Sequence, residues 1–97
     1  MKAIALLNRR EEIAPGMFVE LRVWRVPRPV RGSTHDLKYA LVLVVDDLCV
    51  LRYDNEAGKG DHRHIGDAKF SYEFVTGPQL FDDFWKDVDQ WIANQMS

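Results

Sequence analysis

Between residues 17 and 26 apolar and polar positions alternate, with Met17, Val19, Leu21 and Val23 on one side and Phe18, Glu20, Arg22, Trp24 and Val26 on the other. A period of two is that of a half-buried strand. The first set therefore reads as core-facing, and the mixed second set as a sheet face open to solvent, a ligand or a partner. Residues 2–12 run from apolar to charged and predict an earlier strand. Pro15-Gly16 between them is a turn signal, because proline presets φ and glycine accepts a positive φ at the next position. Residues 39–45 are strongly β-prone, Asp46-Asp47 is a turn, and 48–53 form the next strand. Unbroken apolar character over 40–45 predicts a central strand buried on both faces. Ile65 and residues 70–75 continue as extended chain.

Past Val75 the period changes. Leu80, Phe81, Phe84, Trp85, Val88, Trp91 and Ile92 recur at spacings of three and four, one wide apolar stripe of a helix, with Asp82, Asp83, Asp87 and Asp89 on much of the remainder. Thr76 reads as its N-cap, with Gln79 completing a capping box and Val75 and Leu80 forming a hydrophobic staple. Such a stripe packs on a sheet, and its two tryptophans also suit a homodimer contact or a partner's docking surface. The expected fold is α+β: a mainly antiparallel sheet of about five strands, covered on one face by a long C-terminal helix. It forms a single domain over residues 1–97.

Composition narrows the setting. Hydrophobic residues at 46% and charged residues at 29% are those of a globular domain. The one cysteine, Cys49, has no internal partner for a disulfide, which fits a reducing cytoplasm. The apolar run 3–7 is shorter than the roughly 7–15 residues of a signal peptide, and no stretch approaches the roughly 20 of a membrane helix. A cytoplasmic protein without membrane contact is expected. The net charge of −2 argues against bulk nucleic-acid binding, yet residues 1–69 carry 12 basic against 10 acidic side chains. A local basic face would come from that part of the chain. Arg25, Arg28, Arg31, His35 and Lys38 lie in or beside a proline-containing loop that is either a solvated surface or the border of an anion site.

The chemistry concentrates at residues 53–67, Y-D-N-E-A-G-K-G-D-H-R-H-I-G-D. Gly58 and Gly60 flank Lys59 and leave backbone N–H groups uncovered, which suits an anion such as phosphate. His62 and His64 titrate near neutrality. Three readings compete. Metal-free RNA cleavage would use His62 and His64 as acid and base, Lys59 and Arg63 as stabilisers of the phosphate, and Asp54 or Glu56 to orient a histidine. Arg25, Arg28, Arg31, Lys38, Gly58, Gly60 and Asp61 would hold substrate. If the segment is a strand, however, Arg63 points away from the two histidines. A metal site would use His62 and His64 with Asp61 and Asp67, against the repulsion of Lys59 and Arg63. The third reading is a network of surface ion pairs without chemistry. The metal-free reading leads, so no metal or cofactor is expected.

The run over 53–66 resembles the signature of the TumE family of small toxins of type II toxin-antitoxin modules. W-R-V-P at 24–27 and F-D-D-F-W-K-D-V at 81–88 fall where that family has similar pieces. The resemblance implies an α+β toxin encoded beside a cognate helix-turn-helix antitoxin, acting in the cytoplasm on RNA or the translation machinery. It points to Asp54, Asn55, Glu56, Lys59, Gly60, Asp61, His62, Arg63 and His64. The expected function is then a metal-independent endoribonuclease toxin. The alternative is a non-enzymatic module that binds a phosphate-bearing ligand or a protein through the same loop. An acidic helix surface would suit docking to a basic antitoxin.

Overall fold

The computed structural model describes residues 2–96. Six strands form one antiparallel sheet in chain order: β1 (Ile4–Ala14), β2 (Met17–Arg25), β3 (Leu37–Val45), β4 (Leu48–Glu56), β5 (Gly60–Ile65) and β6 (Ala68–Ser71). A single helix, α1 (Gly77–Met96), follows. The expected α+β class holds, with one more strand than anticipated. The two predicted turns are present. Gly16 reverses the chain at φ 74°, and Asp46 and Asp47 both take positive φ, the conformation that a two-residue hairpin turn needs and that aspartate tolerates.

The extra strand comes from residues 53–67, which form a hairpin and not a loop. β4 runs on to Glu56, reverses over residues 57–59 and returns as β5 from Gly60. Positive φ at Gly58 and Gly60 makes this reversal tight. Alternation then continues through the charged residues.

One face of the sheet and the helix share the core. Val19, Leu21 and Val23 of β2, Tyr39, Leu41 and Leu43 of β3, and Leu51 and Tyr53 of β4 pack with Leu80, Phe84 and Val88 of α1. Those helical residues are four apart, so one stripe supplies the whole seam. The central strand is covered on its other side too, with Val42 only 9% exposed. At the helix start the Gln79 N–H donates to Thr76 Oγ1 at 3.1 Å, as expected of an N-cap. The Gln79 side chain instead donates to Asp83, so the reciprocal half of the box is missing, and Val75 is 65% exposed and makes no buried staple. No described helix is long and apolar enough to cross a membrane.

Candidate functional site

Cross-strand register decides which charged side chains meet. Asp54 lies opposite His62, Arg52 opposite His64, and Tyr53 opposite Arg63. Directly paired residues share a face and successive residues alternate. Since Tyr53 belongs to the core under the helix, Arg63 is on the helix face and Arg52, Asp54, His62 and His64 are on the open one. β6 adds Ser71 beside His62 and Lys69 beside His64. β2 and β3 extend this face with Arg22 opposite Ala40 and Trp24 opposite Lys38.

At its centre is a compact group. His62 is 3% exposed and Asp54 7%. The His62 ring places Nδ1 3.2 Å from the Gly60 carbonyl oxygen. A carbonyl only accepts, so Nδ1 carries the proton in this contact. Nε2 lies 2.8 Å from Asp54 Oδ1. At that separation the two form an ion pair when the ring carries both protons, and Oδ1 is a buried oxygen with no other hydrogen-bond partner among the described residues. The other oxygen, Oδ2, faces the Arg52 guanidinium at 4.0 Å. The half-buried His64 ring meets His62 edge to face, 4.9 Å between centroids. Burial, and secondarily the positive charge of His62, hold the His64 pKa below the usual histidine value. One ligand atom from each of Asp54, His62 and His64 lies within 4.8 Å of the others, so these three residues are able to hold a metal ion.

The remaining residues singled out from sequence divide among other places. Arg63, on the helix face, donates to Asp87 at 3.0 Å and to the Tyr53 hydroxyl at 3.3 Å. It therefore ties β5 to the helix, away from the histidines. The Tyr53 and Tyr72 phenols donate to Asp87 and Asp83, and burial pushes both pKa values up, so they stay protonated. Asp61 also lies off the open face. It accepts from the Ser33 hydroxyl, from the Tyr39 hydroxyl at 2.7 Å and from His35 Nε2 at 2.7 Å. The Leu37 N–H donates to His35 Nδ1, which leaves Nε2 as the protonated nitrogen of a neutral ring stacked on Phe74. These bonds clamp the 26–36 connection to β5. Asp67, the other carboxylate considered for a metal, is in the exposed turn after β5.

Lys59 sits at the hairpin tip, 3.4 Å from Glu56, and this contact lowers the Glu56 pKa. Arg31 joins them: its carbonyl accepts from the Gly58 N–H at 2.6 Å, and its guanidinium lies against Gly58. A cleft of about 390 Å³ opens beside the tip, lined by Gly32, Lys59, Gly60, Asp61, Tyr72 and Phe74 among others. Arg25 pairs with Asp36 at 3.6 Å, Arg28 is exposed, and Lys38 donates to the Asn55 carbonyl at 3.3 Å. Arg52 and Lys69 are the cations nearest the histidines in the sheet register, and sequence reasoning did not single them out. Their signal was the period-two phase they share with Asp54 and with His64, visible only once the hairpin register is known.

Comparison with curated proteins returns no match, and neither does comparison with solved structures. The profile of one protein family, described as Toxin TumE, matches residues 5–92. The matched span contains β2 to β6, all of β1 but its first residue, the cluster and most of the helix. The chain belongs to the TumE toxin family.

Proposed function

We propose that this toxin is an endoribonuclease and that a cognate helix-turn-helix antitoxin restrains it. The observation that carries the reading is the position of two imidazoles and a carboxylate at the centre of an open sheet face that also bears Arg22, Lys38, Arg52 and Lys69. Breaking an RNA phosphodiester requires proton transfer at the 2′-hydroxyl and at the departing 5′-oxygen, with positive charge near the phosphate. The cluster supplies groups for the first requirement and the surrounding cations supply the second. Trp24 offers a ring on which an unpaired base can stack. Membership of a toxin family fits an activity that has to be held in check.

The roles differ from those expected of a simple histidine pair. With His62 3% exposed, its ring does not reach the surface where a ribose would lie. His64 is the imidazole at that surface: it takes the 2′-hydroxyl proton as that oxygen attacks phosphorus and returns it to the departing 5′-oxygen, and His62 and Asp54 support it from below. Lys59, Glu56 and Arg31 form a separate charged tip that contacts flanking RNA.

The test is incubation of the purified chain with labelled total RNA beside a His64→Ala variant. General acid–base groups contribute about 10²–10⁴-fold, so the variant should lose at least about 100-fold in cleavage rate. Cleavage by His64→Ala at the wild-type rate would refute the site. RNA binding without any cleavage would replace the enzyme with the binding module.

A further inference from the structure

We propose that Asp54, His62 and His64 form a binding site for a divalent transition-metal ion, with zinc as the ion that best fits the donors. The binding itself does not rest on the reading above; in cleavage the two roles of His64 exclude each other, because a ring nitrogen that ligates the ion carries no proton, so the ion-loaded chain would cleave RNA by a different proton carrier than the metal-free one.

Three observations converge. First, two imidazole nitrogens and one carboxylate oxygen are the donor set that zinc takes in sites that keep one position open. The three ligand atoms lie within 4.8 Å of one another. Donors around a tetrahedral zinc are about 3.4 Å apart, given bonds of about 2.0–2.2 Å, so small side-chain rotations close the set.

Second, the His62 ring is held in one orientation. Its Nδ1–H points to the Gly60 carbonyl, the outer hydrogen bond that metal-binding histidines characteristically make. Nε2 is then the nitrogen left to a ligand, and it faces Asp54 Oδ1. Third, Asp54 Oδ1 is buried beside that nitrogen with no other hydrogen-bond partner among the described residues. In the unloaded site a proton on Nε2 holds these two atoms together as an ion pair, and a metal ion binds by taking the place of such a proton.

The positive neighbours do not close the site. Arg52 approaches Oδ2 and leaves Oδ1 to the ion. Lys69 is opposite His64 in the register of β6, and it is exposed. The donor set carries one negative charge, so the loaded site is net positive. Three protein ligands leave a position for water or a phosphodiester oxygen on the half-buried His64 side.

The measurement uses the full chain, freed of metal with EDTA, dialysed, and titrated with Zn²⁺ by calorimetry and with Co²⁺ by visible absorption. The expected result is one ion per chain, intense d–d bands of low-coordinate cobalt that zinc abolishes, and a rise in Tm on zinc addition. Loss of outer-shell partners alone weakens metal sites about 10–100-fold. Asp54→Asn and His64→Ala should therefore each raise Kd by more than about tenfold, while Asp67→Asn should bind as wild type. Circular dichroism checks each variant's fold; if Asp54→Asn does not fold, His64→Ala decides. Absence of saturable binding, or equal binding by wild type and His64→Ala, would overturn the proposal. RNA cleavage by a chain that binds no metal would sink this inference and keep the ribonuclease. Metal binding by a chain that cleaves no RNA would do the reverse.

Discussion

Gly32 and Gly60 touch backbone to backbone where the 26–36 connection crosses the β4–β5 hairpin. A Cβ on Gly60 would sit 2.8 Å from the Gly32 carbonyl oxygen, and Gly60 itself has φ +73°. Gly66 has φ +58° but open space around it. Positive φ alone costs a non-glycine residue roughly 1–2 kcal/mol. Gly66→Ala should lose about that much in a urea melt, and Gly60→Ala clearly more, because neither backbone can yield cheaply. Asp61 makes a second residue-scale case. It accepts three side-chain hydrogen bonds, and bonds to a charged group are worth about 1.5–3 kcal/mol each. Asp61→Ala should destabilise the fold by at least about 3 kcal/mol, an effect to be read from denaturant midpoints. Its role is to clamp the connection, which sequence alone does not reveal. Choosing Asp54 over Asp61 as the partner of His62 requires the pairing of β4 with β5, because along the chain Asp61 is adjacent to the histidine and Asp54 is eight residues away.

Among the elements, α1 and the β2 and β3 strands were legible from periodicity. The stripe through Leu80, Phe84 and Val88 meets the alternate residues Val19, Leu21 and Val23 that the period of two assigned to the core. Phe84 is fully buried, so Phe84→Ala should cost about 3–5 kcal/mol in thermal or chemical unfolding. The β4–β5 hairpin was not legible, since glycine, lysine and aspartate are loop formers and obscured the alternation that carries on through Asp54, Glu56, His62 and His64. The same hairpin explains Arg63. Phase in a strand turned it toward Asp87, with both side chains partly exposed at 35% and 23%. A double-mutant cycle on Arg63 and Asp87 should give a coupling of about 1 kcal/mol or less, while a coupling of several kcal/mol would show a pair far better shielded from water.

Viewed whole, the molecule divides its residues by face. Helix and core occupy one side of the sheet; His62, His64, Asp54 and the cations Arg22, Lys38, Arg52 and Lys69 occupy the other, where Glu20 pairs with Arg22. A small net charge of −2 conceals this division, because the acidic surplus belongs to the helix end of the chain. If Arg22, Lys38, Arg52 and Lys69 each neutralise one phosphate, log K for single-stranded RNA should fall with log salt at a slope of roughly −3. Removing Arg52 and Lys69 together should bring that slope to roughly −1.4. A slope unchanged by that double substitution would place the RNA elsewhere on the protein.

The central claim is that chemistry belongs to the open face and that Arg63 does not take part in it. RNA cleavage rates of wild type, His64→Ala and Arg63→Ala, measured on folded proteins, test it most directly. The account predicts a loss of at least about 100-fold for His64→Ala and a rate within about threefold of wild type for Arg63→Ala, since surface ion pairs contribute little. Full activity in His64→Ala together with a large loss in Arg63→Ala would contradict it.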